Sequence, residues 1–160
     1  VEQNMMPQFC KQEITTFKQD YLNKMEKNLF IPFKGIQDIY FGTHRNKIRK
    51  ILGESYQNFR RGSSENTTDF YKDRGLFFEF DQNDLCNAIE FANYSNLFID
   101  SKNILEFSYS ELVEIYSKKS VNKDIEEGKG ITFLDLGFGV TKIDNADKIE
   151  TIIIFSGDYW

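Results

Sequence analysis

The sequence predicts one α+β domain: an antiparallel sheet with helices on one face, built from two helix-plus-hairpin repeats. Three observations predict it. Apolar residues recur at helical spacing in some stretches and at period two in others. Clusters of Asp and Asn, residues that tolerate turn geometry, separate the period-two runs. The whole cycle then recurs, because adding 64 to positions in one half lands on similar residues in the other.

The first ten residues read as a tail. From about 13 to 29, Ile14, Phe17, Tyr21, Leu22, Met25 and Leu29 fall on one helical face, which predicts an N-terminal helix ended by Pro32. Gly35 to Gly42 reads as a short strand or an extended lead-in. Thr43 is positioned to cap a helix through Leu52, with Ile48, Ile51 and Leu52 on its apolar face and Gly53 as its C-cap. The polar stretch Arg60 to Thr68 reads as a loop or hairpin tip. Asp69 to Lys72 is a short predicted strand. Leu76, Phe78 and Phe80 then alternate with Phe77 and Glu79, Asp81 to Asp84 turns, and Asn87 to Phe91 returns as the hairpin partner.

The second cycle opens on Ser108 and Glu111, a capping box ahead of Leu112, Val113, Ile115 and Tyr116. Asn122 to Gly130 reads as a charged loop. Ile131 to Leu134, Gly139 to Ile143 and Ile149 to Phe155 are predicted strands, with a turn at Asp144 to Asp147. At the offset of 64, Ile48 maps onto Leu112, Ile51 onto Ile115, Leu85 onto Ile149 and Phe91 onto Phe155. Phe78 falls on Lys142 and Phe80 on Asp144, a mismatch that a local bulge would repair. The repeats span about 35–98 and 99–160, within a single domain. Helices covering one sheet face leave the other to solvent or to a partner.

Composition narrows the function. With 40% hydrophobic and 16% aromatic residues among 160, the chain can bury a core, which excludes general disorder. A net charge of −5 argues against nucleic-acid binding, which needs a basic field, and favours basic partners. The basic run Lys47 to Lys50 reads as the wet face of a helix. No apolar run reaches the roughly 20 residues that span a bilayer. The start lacks a signal-peptide pattern, and a first residue other than Met reads as a processed or altered start. Cys10 and Cys86 have no metal-ligand spacing. They read as free thiols of a cytoplasmic protein, with one long-range disulfide left open.

No catalytic set emerges. His44 is the single histidine, which leaves no Ser-His-Asp or multi-histidine zinc pattern, and it reads as a surface residue. Asp81 to Asp84 lacks the glycine and distant Glu of a calcium loop. Gly128, Gly130, Gly137 and Gly139 match neither a P-loop nor a dinucleotide fingerprint. The aromatics lack interleaved Lys or Arg and read as core rather than as base-stacking platforms. The expectation is a non-enzymatic binder needing no metal or cofactor.

The residues from Gly35-Ile36 to Gly42, Ile48 to Gly53 and Tyr71 to Phe91 resemble small bacterial immunity proteins encoded beside contact-dependent and other polymorphic toxins. The tandem helix-plus-hairpin layout is also similar to that of the β-lactamase inhibitory proteins, although that family's disulfides are not evident here. The resemblance implies a protein that binds a cognate toxin domain, often a basic nuclease, and blocks it. It supplies no contact residues. On electrostatic grounds the candidates are Asp124, Glu126, Glu127, Asp144 and Asp147, with Tyr159 and Trp160 as anchors. Two other classes stay open: a small enzyme or ligand-binding domain using carboxylates in a cleft, and an adaptor domain.

Overall fold

Each of two helices feeds a four-stranded meander, and the two meanders share one sheet. A computed structural model describes residues 27–160. Strands β1 (Phe30–Ile31), β2 (Gly35–Ile36) and β3 (Ile39–Tyr40) form a small antiparallel sheet. Helix α1 (Arg45–Leu52) leads to β4 (Gln57–Phe59), β5 (Thr68–Tyr71), β6 (Leu76–Phe80) and β7 (Cys86–Ala92). A connection holding the hairpin β8 (Phe98–Ile99) and β9 (Lys102–Asn103), then a 3-10 turn at Ile104–Glu106, reaches α2 (Tyr109–Ser117). The second meander is β10 (Lys123–Glu126), β11 (Gly130–Phe133), β12 (Phe138–Lys142) and β13 (Ile149–Phe155). β13 pairs with β7, giving an eight-stranded antiparallel sheet ordered β10-β11-β12-β13-β7-β6-β5-β4.

The helix starts follow local chemistry. The predicted capping box is present at α2, where Ser108 Oγ accepts from Glu111 N and Glu111 accepts from Ser108 N. At α1 the cap is His44 rather than Thr43: the His44 ring nitrogen Nδ1 accepts from Asn46 N at 3.2 Å. Each helix start is also tied to a hairpin turn of the sheet. Arg45 N donates to Asp84 O at 2.9 Å, and Tyr109 N donates to Asp147 O at 3.4 Å.

Register sorts the side chains into two faces. Asp69, Tyr71, Leu76, Phe78, Ile89, Phe91, Ile152, Ile154, Val140, Phe138, Ile131 and Phe133 sit opposite one another along the ladder and share a face. Both helices cover it. Tyr116 of α2 meets Phe133 and Phe138 edge-on or tilted, while Arg45 and Arg49 of α1 reach Asp69. Ile48, Leu97, Ile104 and Leu112 complete this buried core. The opposite face carries Phe70, Phe77, Glu79, Glu90, Ile153, Thr151, Thr141 and Thr132, all partly exposed.

Four expectations change. The N-terminal helix lies outside the described residues except for 27–29, which are not helical; Leu29 instead bridges Phe98. Asn122 to Gly130 is not a loop, because β10 pairs in register with β11 from Lys123 to Glu126. α1 buries Arg45 and Ile48 and leaves Ile51 exposed, because the buried carboxylate of Asp69 draws the arginines inward. Phe59, Phe70 and Phe77 belong to the uncovered face, not to the core. Cys86 is a free, buried thiol whose pKa burial pushes up; Cys10 lies outside the described residues.

Candidate protein-binding surface

Period-two alternation places Glu79 of β6 and Glu90 of β7 on the uncovered face, because their neighbours Phe78 and Ile89 point into the core. Phe70 and Phe77 stack beside them with centroids 4.0 Å apart and planes 7° apart. Phe59 meets Phe77 edge-on at 6.5 Å. Arg61, just beyond β4, lays its guanidinium over Phe77 at 4.4 Å and pairs with both Glu79 and Glu90.

The C-terminus closes the other side of this cluster. The Tyr159 hydroxyl donates to Glu79 Oε2 at 2.7 Å, and its ring stacks on Phe155 with centroids 5.9 Å apart. Burial, then the hydrogen bond to Glu79, pushes the Tyr159 pKa well up, so its hydroxyl stays protonated and donating at neutral pH. Trp160 meets Phe155 edge-on and remains 72% exposed. The surface therefore combines rings held at fixed angles with carboxylates already oriented by an arginine and a tyrosine. Such a surface loses little side-chain entropy when a partner binds.

Beside it lies a cleft of about 490 Å³, lined by Glu65, Glu79, Asp81, Asn87 and neighbouring polar residues. The buried Asn87 Oδ1 has no hydrogen-bond partner. Among the described residues no group of His, Cys, Asp and Glu could hold a metal ion. No helix there is long and apolar enough to cross a membrane.

The residues singled out from sequence do not form one patch. Asp124 and Glu126 lie on β10 and Glu127 on the turn after it. Asp144 and Asp147 lie in the β12–β13 turn. Tyr159 and Trp160 sit over β13, with Tyr159 reaching β6. From β10 to β6 is five strand steps, about 24 Å at ~4.8 Å per step. Glu126 pairs with Lys129 at 2.7 Å on an exposed hairpin. Sequence reasoning missed Arg61, Glu79 and Glu90. The signal for the two acids was present, since each alternates with a core residue of its own strand.

Asp147 serves the fold. Its Oδ1 accepts from Ser110 Oγ at 2.7 Å and Ser110 N at 2.8 Å, in the first turn of α2. Those bonds, the hydroxyl's first, hold its carboxyl below the usual carboxylate range. A depressed folded-state pKa adds stability above the unfolded value, about 4 for Asp, and that stability is lost as pH falls through the folded value. The melting temperature should therefore drop on acidification below about pH 4, and Asp147→Ala should flatten part of that drop. An identical acid limb in the variant would show that Asp147 contributes nothing to it.

No family model, curated protein or solved structure matches this chain, so the resemblance to immunity proteins rests on the residues that carry it.

Proposed function

We propose that this chain is a non-enzymatic immunity protein that binds a cognate, basic toxin domain and blocks it. One observation carries the reading: the sheet face left free by the helices bears an ordered cluster of Phe59, Phe70, Phe77, Arg61, Glu79, Glu90 and Tyr159. Aromatic and arginine side chains dominate binding energy at protein interfaces, and fixed carboxylates steer basic partners. The net charge of −5 agrees with such a partner.

We also infer that the scaffold arose by duplication. Phe78 faces Ile89 as Val140 faces Ile152, so β6 and β12 correspond at an offset of 62, and β7 and β13 at 63. Each hairpin carries a register shift, at Glu79/Phe80 and at Thr141/Lys142. These are equivalent positions at the offset of 62. The single offset of 64 does not hold in the strands: it sets Ile89 and Phe91 of the helix-covered face on Ile153 and Phe155 of the opposite face. Since both hairpins carry the shift, the difference between 62 and 63 comes from one extra residue in the β12–β13 turn and not from a bulge.

The test is co-expression with the product of a toxin gene adjacent to the one encoding this chain. A stable complex and protection of the host are expected. Trp160→Ala should weaken the complex by about 2 kcal/mol, roughly thirtyfold in Kd, as an exposed anchor would. A neighbouring toxin that neither binds nor is neutralised would overturn the reading. The cleft beside Glu79 favours a second reading, a ligand-binding domain using carboxylates. Binding of a small cationic ligand there, with no protein partner, would decide for it.

A further inference from the structure

The two ends of the large sheet differ. β4 has three residues. β10 has four, pairs in unbroken register with β11, and carries neither proline nor bulge. Proteins usually blunt a free strand edge, often with charges, and β10 carries three charged residues in four, which repel a like-charged strand while its backbone stays open to one of opposite charge.

The register shows which backbone groups of β10 are free. Leu134 N donates to Asn122 O at 2.9 Å, and Lys142 N donates to Lys129 O at 2.9 Å. Hydrogen-bonded pairs recur at every second residue of an antiparallel ladder. Asp124 and Glu126 therefore spend their backbone groups on Thr132 and Gly130. Lys123 and Ile125 point theirs away from the sheet.

The side chains divide by the same alternation. Asp124 and Glu126 project from the uncovered face, opposite Thr132 and Gly130. Ile125 projects from the helix side and is 67% exposed. Lys123 reaches back to Ser117 O at 3.0 Å, at the end of α2, and so leaves the outer strip acidic. The Lys129–Glu126 pair is exposed on both sides and costs little to exchange.

A second copy is a poor occupant. An antiparallel copy must use the Lys123 and Ile125 groups, which allows only alternate registers. Pairing Ile125 with its counterpart sets Asp124 across from Glu126 of the copy, twice. Pairing Lys123 with Ile125 of the copy sets Asp124 across from Asp124. Pairing Lys123 with its counterpart sets two lysines opposite. Like charges directly opposite destabilise a sheet.

We propose that β10 is a docking edge for an extended segment of a protein partner, in which basic residues alternate with apolar ones. The segment adds antiparallel to β10 as a ninth strand. Its main chain bonds to Lys123 and Ile125, its Lys or Arg side chains face Asp124 and Glu126, and its apolar side chains cover Ile125. The inference stands on the edge geometry and does not require the partner to be a toxin.

The test is backbone hydrogen exchange on the full chain with a synthetic peptide of alternating Lys and Val. Exchange at Ile125 N–H should slow by about tenfold or more, with no change at β4. A peptide with Glu in place of Lys should have no effect. Ile125→Pro removes an outward N–H that bonds nothing in this fold, and edge strands accept proline at such positions. In that variant the readout is the Lys123 N–H, the other outward donor of β10, and the Lys peptide should no longer protect it. Should that variant not fold, Asp124→Lys with Glu126→Lys should transfer the protection from the Lys peptide to the Glu peptide. Equal protection by both peptides, protection at β4 alone, or a β10-mediated dimer of the free chain would overturn the proposal. Those outcomes would leave toxin blocking by the uncovered face still testable through Trp160.

Discussion

Replacing Asp69 with alanine is expected to cost about 3–5 kcal/mol, the range seen when one partner of a buried ion pair is removed. Asp69 is fully buried. Its Oδ2 accepts from Arg49 Nε at 2.8 Å, and its Oδ1 accepts from Arg49 Nη2 and Asn58 Nδ2 at 2.8 Å and from Arg45 Nη1 at 3.3 Å. Arg45 is itself buried, lying over the Phe80 ring at 4.2 Å. Alanine strips Arg49 of its carboxylate partner and cuts the tie between α1 and β5, while Arg45 keeps Asn66, Thr67 and Asp84. A typical domain has only about 5–15 kcal/mol in total, so the urea midpoint should fall sharply. Asp69→Asn should lose less, because one amide oxygen still accepts. A midpoint within error of the wild type for Asp69→Ala would mean that the arginines find other acceptors.

Phe138→Ala should cost about as much, about 3–5 kcal/mol, by a different route. The Phe138 ring is 1% exposed. It touches Tyr116 of α2 at 5.0 Å, Phe133 of β11 at 5.1 Å and Phe30 of β1 at 6.0 Å. Three elements meet on one ring, so its loss leaves a cavity that none can fill alone. Phe77→Ala, on the uncovered face and partly exposed, should cost clearly less. Equal losses for the two variants would mean that the uncovered face is as buried in solution as the helix-covered one. Circular-dichroism melts of both variants make the comparison.

Legibility in the sequence followed burial. β6, β7 and β13 were readable because each alternates between a buried and a half-buried face, which imprints period two on the residues. The α2 start was readable because the Ser108–Glu111 capping box is local chemistry. β10 was read as a loop because all four of its residues are exposed, so nothing imposes an apolar alternation. β4 escaped for the same reason. In α1 the run Lys47 to Lys50, with Arg49 in it, reads as a wet face, and Ile51 as part of the apolar one. The assignment reversed because a carboxylate 20 residues beyond Arg49 sits under the helix.

The binding surface divides the same way. Acidity and aromatic richness were visible at once. That Asp147 would be used up by Ser110, and that Arg61 would bridge Glu79 and Glu90, depends on contacts between residues 18 to 37 positions apart.

By itself the sequence determined the two helices, the central strands β6, β7 and β13 and the turns between them, because these follow from local spacing and from turn and cap chemistry. Only the tertiary structure decided where the sheet ends, which backbone groups its edge leaves free and which charges meet across the open face. Those depend on pairing between distant segments, and an exposed polar strand carries no mark of its partner.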